Sequence, residues 1–233
     1  MNAALIVPAA GSGLRLGFDL PKALADVCGR PLVRRTLERF SGIESLREVV
    51  VAVPAEARAE FEQALAGLDL PGCTLRLVEG GRSRQESVRL ALGALRQAPE
   101  VVAVHDAARP LVSRETLQAV LEAGRAGPAT VVSRPADSVR QVLGDGTGGS
   151  KAIDRDRLWL VGTPQAFPAG LLAQAHEIAH TRGLRATDDV SLVERCTSAT
   201  VALVERQELN VKVTHPEELE LVRLIVADRL RTE

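Results

Sequence analysis

Residues 4–16 read ALIVPAAGSGLRL, a short apolar run that breaks directly into a turn holding Gly11 and Gly13. Apolar residues without polar alternation suit a strand covered on both faces, as in a parallel sheet. The same rhythm continues outward. PLVRRTLERF follows the first turn; EVVVAVP precedes EARAEFEQALAG, TLRLVEG precedes RQESVRLALGAL, VVAVHDA precedes RETLQAVLEAG, and ATVVS closes the series. Short apolar runs alternating with amphipathic stretches predict a doubly wound, mostly parallel α/β sheet over residues 1–135, with right-handed crossovers. Ligands of such sheets bind beyond the C-terminal strand ends. Those ends are PAAGSG, VPAE, EGGRSR and HDAARP.

The alternation stops after Pro135. ADSVRQVLGDGTGGSKAIDRDRLW reads as two short strands around GDGTGGS, a turn in which four of seven residues are glycine. Residues 136–154 are therefore expected to project as a β-hairpin arm. Too few apolar residues are present for the arm to bury itself, which favours packing on a second subunit, a homodimer, over a free loop. Beyond it follow an expected helix AGLLAQAHEIAH, a helix start at TDDVSLVE, strands ATVALV and NVKVT, and a terminal amphipathic helix PEELELVRLIVADRL. No linker separates domains, so residues 1–233 are expected to form one.

Composition excludes several function classes. The chain has 233 residues, 45% of them apolar, with 29 basic and 30 acidic side chains. A net charge of −1 without a basic run argues against a nucleic-acid backbone binder, and 2% aromatics argue against a base-stacking platform. No apolar stretch reaches the roughly 18 residues of a membrane span, and the N-terminus lacks a signal-peptide pattern; a cytoplasmic protein is expected. Cys28, Cys73 and Cys196 form no CxxC pair and are expected to be small buried hydrophobes. Only three basic residues are lysine: Lys22, Lys151 and Lys212.

The first loop carries the strongest chemistry. Gly11 and Gly13 let consecutive backbone N–H groups turn onto an anion. The loop is not the dinucleotide fingerprint, because Leu16 stands where the third glycine belongs, and no Walker lysine follows. Arg15 and Lys22 instead supply a fork and a compact ammonium, suited to fixed phosphate oxygens and to a reacting phosphoryl centre. The alternative is a surface turn with two solvated cations. In GGRSRQES, Ser83 and Glu86 form a capping box for a following helix. At TDD, a helix cap with two acids near the positive dipole end explains Asp188 and Asp189.

Six stretches together resemble one family. PAAGSGLRLGFDLPKALADVCGRPLVRRTL, GGRSRQESV, VHDAARPLV, DRDRLWLVGTPQAF, TDDVSLVE and NVKVTHPEEL occur in the order and spacing of 2-C-methyl-D-erythritol 4-phosphate cytidylyltransferases, from residue 4 to about residue 220. The resemblance implies a Rossmann-like nucleotidyltransferase fold and transfer of a cytidylyl group from CTP to a polyol phosphate, with Mg²⁺ bound mainly through the CTP phosphates. It implies nucleotide binding by Ala9, Ala10, Gly11, Gly13, Gly80, Gly81, Arg84 and Ser87. Arg15 and Lys22 would stabilise charge at the α-phosphate, and Arg155 and Lys212 would hold the acceptor phosphate. Asp106, Ala107, Arg109 and, on the arm, Ser138 would bind the polyol, the arm acting across a dimer. His105 is expected to be structural, since the nucleophile is already an ionised phosphate. Ser138 and Arg140 replace the family's usual threonine and lysine, and Arg206 stands where glycine is common.

Three other readings stand beside this one. A ribitol 5-phosphate or other polyol-phosphate cytidylyltransferase would share the nucleotide motifs and differ at the arm. His176, Glu177 and His180 spell HExxH, the signature of a zinc hydrolase, in which histidines at i and i+4 share a helix face. A longer zinc motif would need a ligand where Ala186 stands. A catalytically dead nucleotide-binding subunit is opposed by the intact Arg15, Lys22, Arg155 and Lys212.

Overall fold

The computed structural model describes residues 1–11, 20–144, 148–206 and 208–232. The opening apolar run forms β1 (Ala3–Pro8), whose side chains alternate between two cores. Ala3, Leu5 and Val7 face one cluster; Ala4 and Ile6 face the other. Two short paired strands, β2 (Asp26–Val27) and β3 (Arg30–Pro31), lead into α1 (Leu32–Glu38). The expected alternation then runs through β4 (Leu46–Val53), α2 (Arg58–Leu65), β5 (Thr74–Glu79), α3 (Arg84–Gly93), β6 (Val101–Val104), α4 (Arg114–Ala126) and β7 (Ala129–Ser133). Residues 49–53 of β4 are fully buried, consistent with helices on both faces. Each such aliphatic side chain contributes about 1.5–3 kcal/mol.

After β7 come the arm strands β8 (Val139–Val142) and β9 (Ser150–Ile153), paired only with each other. They are followed by β10 (Leu160–Pro168), α5 (Ala169–Arg182), α6 (Asp189–Cys196), β11 (Ala202–Glu205) and α7 (Pro216–Thr232). The seven-stranded sheet has the order β11-β7-β10-β6-β1-β4-β5. Its neighbours are parallel except at β10, which runs antiparallel to both β6 and β7.

Strand β10 was not legible as a strand. VGTPQAF lacks a β-branched run and carries Gly162 and Pro164. The proline is accommodated where the β7 pairing loses register, between Val161 and Gln165, so no ladder donor is demanded of it. Helix α4 lies close over this strand. A Cβ at Gly124 would sit 2.6 Å from the Ala166 Cβ.

NVKVT, expected as a strand, is not one. Val213 makes a single backbone bond to the Ala108 carbonyl, 2.8 Å, and packs with Val27, Leu32, Leu111 and the α7 residues Leu219 and Val222 in a third apolar cluster. Asn210, expected on an open face with Lys212, is 1% exposed and donates from Nδ2 to the Thr163 carbonyl. Packing of α7 on Val213 holds the segment against the residues that follow β6 instead of in the sheet. The three cysteines are free and half-buried rather than fully buried.

Candidate active site

The C-terminal ends of β1, β5 and β6 surround a cavity of about 500 Å³. Its lining includes Ala9, Ala10, Gly11, Lys22, Gly81, Arg84, Ser87, Asp106, Ala107 and Lys212. Residues expected to bind nucleotide and residues expected to bind acceptor thus share one cavity. Gly13 and Arg15 lie outside the described residues.

Local sequence builds each wall. Ser83 caps α3, its hydroxyl accepting from the Glu86 N–H at 3.1 Å. Glu86 reaches back to the Arg82 N–H at 2.8 Å, one residue earlier than the usual reciprocal bond of a capping box. The Ser87 hydroxyl accepts from the Gly81 N–H at 3.0 Å and donates to the Ser83 carbonyl at 2.9 Å, which ties the glycine pair to the helix. Gly80 is the first glycine of that pair. A Cβ there would stand 2.5 Å from the Ala10 Cβ and 3.0 Å from the Ser87 oxygen, so only glycine lets the two strand ends approach.

Asp106 is the electrostatic hub. Its Oδ2 is 2.8 Å from Lys212 Nζ and 3.4 Å from Arg109 Nε; its Oδ1 is 3.1 Å from Arg84 Nε. Burial by itself would raise this carboxyl, but Arg84, Lys212 and Arg109 outweigh it and hold the group far below the usual carboxylate range. Antiparallel β10 supports the same residue: the Asp106 N–H donates to the Thr163 hydroxyl at 3.0 Å. Arg109 Nη1 also donates to the Asn210 carbonyl, 2.7 Å, which fastens the segment bearing Lys212. His105, expected to be structural, does not line the cavity. It is fully buried, its Nε2 lies 3.1 Å from the Arg109 carbonyl, and its ring meets Phe40 edge-on. Burial pushes its pKa down to about 4.

Sequence reasoning missed Asp189. Asp188 is the true N-cap, accepting from the Ser191 N–H. Asp189, read with it as a helix-dipole acid, is 1% exposed and instead binds Arg84 Nη1 at 2.6 Å. A second acid directly after a cap was the available signal. Burial would raise this carboxyl too; Arg84 and the hydrogen bond from His176 prevail and lower it. Burial opposes the Arg84 charge, and the two aspartates more than restore it.

Three expected acceptor residues are not on the lining of this cavity: Arg109, which touches it only through Asp106, and Arg155 and Ser138. Arg155 donates from Nη1 to the Ala136 carbonyl and lines a separate shallow depression with Arg134 and Asp156. Ser138 is exposed at the base of the arm, while Arg140 is tied across the hairpin to Ser150. Lys151 is exposed on β9.

The HExxH residues do not form a zinc site. His176 is 2% exposed and its Nε2 is engaged by Asp189 Oδ1 at 3.1 Å, whereas Glu177 and His180 face outward. Among the described residues, no group of three or more His, Cys, Asp or Glu could hold a metal ion. Nor, among them, is any helix long and apolar enough to cross a membrane.

The family model of 2-C-methyl-D-erythritol 4-phosphate cytidylyltransferase matches residues 3–228. The chain belongs to this family. Among cytidylyltransferases of that name, the protein of Symbiobacterium thermophilum is 40% identical over 228 residues, covering 97% of this chain and 94% of its own. That of Streptomyces avermitilis is 41% identical over 234 residues, with 97% and 92% coverage. The crystal structure of the Thermus thermophilus cytidylyltransferase superposes with a TM-score of 0.76 at 36% identity, covering 97% of this chain and all of that one. The 4-diphosphocytidyl-2C-methyl-D-erythritol synthase of Anaerococcus prevotii gives 0.84 at 25% identity, with 97% and 98% coverage. The cytidylyltransferase fold thus includes the antiparallel β10 and the separate hairpin seen here.

Proposed function

We infer that the chain transfers the cytidylyl group of CTP to 2-C-methyl-D-erythritol 4-phosphate and releases pyrophosphate, a step of non-mevalonate isoprenoid precursor synthesis. The observation that carries the assignment to this cavity is the meeting of Lys22, Gly11 just after β1 and Lys212 on one lining. The acceptor is itself the nucleophile: a phosphate oxygen attacks the α-phosphorus, the bond to the bridging oxygen breaks, and pyrophosphate departs with that oxygen. No protein base is required for a phosphate ionised near neutrality. The protein's work is positioning and charge stabilisation. Backbone N–H groups of Ala10 and Gly11 cradle phosphate oxygens, whereas the Ala9 N–H is held by the Ala52 carbonyl at 2.7 Å and Ala9 only lines the site; Lys22 is assigned to the developing charge, with Arg15 as its partner from sequence. The Gly80–Gly81 turn admits the flat base, and Ser87 shapes that turn. Lys212 takes the acceptor phosphate in place of Asp106, while Asp106, Ala107 and Arg109 meet the polyol.

Magnesium fits this site as an ion carried by the nucleotide. Among the described residues, the one carboxylate on the cavity lining, Asp106, is already engaged by three cations, so those residues offer no oxygen cage of their own. Bound to the triphosphate, the ion would supply neutralisation and a fixed phosphate geometry.

Arg155 and Ser138 are assigned to the acceptor site of a second copy, Ser138 on the 136–154 arm and Arg155 in the turn directly after it, within a single-domain chain. Exposed Val142, Leu143, Leu160 and Val161 give that region an apolar surface fit for a homodimer contact. A cytoplasmic location accompanies the assignment, since CTP is drawn from that pool.

The test is pyrophosphate release from CTP and Mg²⁺ with 2-C-methyl-D-erythritol 4-phosphate, ribitol 5-phosphate or a hexose 1-phosphate as acceptor. Release is expected with the first. Turnover confined to ribitol 5-phosphate would overturn the acceptor assignment and leave the cytidylyltransferase.

A further inference from the structure

The Arg84 guanidinium stands on the cavity lining between two buried carboxylates. Nη1 is 2.6 Å from Asp189 Oδ2, Nε is 3.1 Å from Asp106 Oδ1, and Nη2 has no hydrogen-bond partner among the described residues. The two anchors differ in kind. Asp106 is shared with Lys212 and Arg109, whereas among the described residues Asp189 pairs with no other cationic side chain than Arg84 and the imidazole behind it. That imidazole belongs to His176 of α5. Its Nε2 meets Oδ1 of the same carboxylate at 3.1 Å, and the Asp189 backbone N–H is held by Gln165 Oε1 at 3.0 Å. Both carboxylate oxygens are therefore engaged, one by each partner, and rotation of the group would break both bonds. A long arginine side chain has many rotamers; one carboxylate fixed at both oxygens selects among them.

We propose that Asp189 and His176 are positioning residues of the transferase: Asp189 sets the Arg84 guanidinium for the nucleotide, and His176 sets the Asp189 carboxylate so that Oδ2 faces Arg84. The proposal rests on the assignment of Arg84 to CTP. It gives the first histidine of the HExxH stretch a role two contacts removed from the cavity. A pair serving only to join α5 to α6 would have no reason to end on a cavity arginine, and its loss would weaken folding without discriminating between substrates.

The experiment is steady-state kinetics on the full chain, with CTP and acceptor varied separately. CTP binding by calorimetry and thermal melting accompany it. Asp189→Asn is expected to raise KM for CTP about tenfold, and His176→Leu about threefold, with KM for the acceptor changed less than about twofold. His176→Gln, whose amide can donate to Oδ1, is expected to restore most of the CTP affinity. In an Arg84→Ala background neither substitution should weaken CTP binding further, because residues acting through one side chain are non-additive. An undiminished effect in that background, or equal rises in both KM values, would overturn the proposal. So would unchanged KM for CTP in the two single variants. Should Asp189→Asn not fold, the His176→Leu and Arg84→Ala cycle decides by itself. If Arg84→Ala leaves CTP binding intact, the assignment of Arg84 falls and the proposal with it. If Arg84→Ala weakens binding while the other two do not, only the positioning role falls.

Discussion

The Nζ of Lys212 lies 2.8 Å from Oδ2 of Asp106, so the end of β6 and a segment just before the last helix share one charge at the cavity. The lysine side chain is 41% exposed, and at such a position an ion pair adds less than about 1 kcal/mol to stability. An incoming phosphate dianion offers this ammonium more charge than a carboxylate already divided among Arg84 and Arg109. The pair is therefore exchangeable, and it separates function from folding.

Lys212→Ala should lower kcat/KM for the acceptor about 100-fold while the unfolding free energy changes by less than about 1 kcal/mol. Parallel kinetics and urea titrations check this. A stability loss as large as the activity loss would make the lysine structural.

Gly80→Ala should weaken CTP binding about tenfold and cost about 1–3 kcal/mol of stability, since the new Cβ meets the Ala10 Cβ at 2.5 Å. Neither neighbour can yield easily, one being a loop methyl and the other the Ser87 hydroxyl that holds Gly81. Calorimetric titration with CTP would refute the expectation by returning the wild-type affinity.

Stability should fall on acidification from about pH 6.5 to about pH 4. Buried His105 has its pKa lowered from 6.5 to about 4. Above 6.5 it is neutral folded and unfolded, and its contribution is complete. Between the two values the unfolded chain takes up a proton that the folded chain refuses, which removes about 3 kcal/mol. Below 4 this loss levels off. Urea unfolding across the range should show the slope in the native chain and lose it in His105→Gln, which keeps a donor for the Arg109 carbonyl.

Arg155→Ala and Lys212→Ala should each be nearly inactive, yet regain activity when mixed under conditions of subunit exchange. If the arm serves a neighbouring cavity, each mixed dimer contains one intact site, and random exchange restores about a quarter of native activity. No recovery despite exchange, measured by mass photometry or native mass spectrometry, would place Arg155 in its own chain's site or outside catalysis.

Much of this protein was determined by sequence alone. The apolar runs from Ala4 to Ser133 specified the strands and their helices, the glycines at the β1 end marked the loop, Ser83 and Glu86 marked the start of α3, and GDGTGGS marked the arm. These are local signals: side-chain period, turn conformation and cap chemistry act over a few residues. Tertiary structure decided what no local period encodes. It inserted β10 antiparallel between β6 and β7, drew NVKVT off the strand pattern by packing α7, and set Arg155 and Ser138 apart from the cavity. It also turned Asp189 from a cap acid into the anchor of Arg84, and His176 from half of a metal motif into the partner of Asp189. The physical reason is common to these last two. A buried charge must be compensated by whichever polar group the fold places beside it, and for Arg84 and Asp189 that group comes from the far side of the chain.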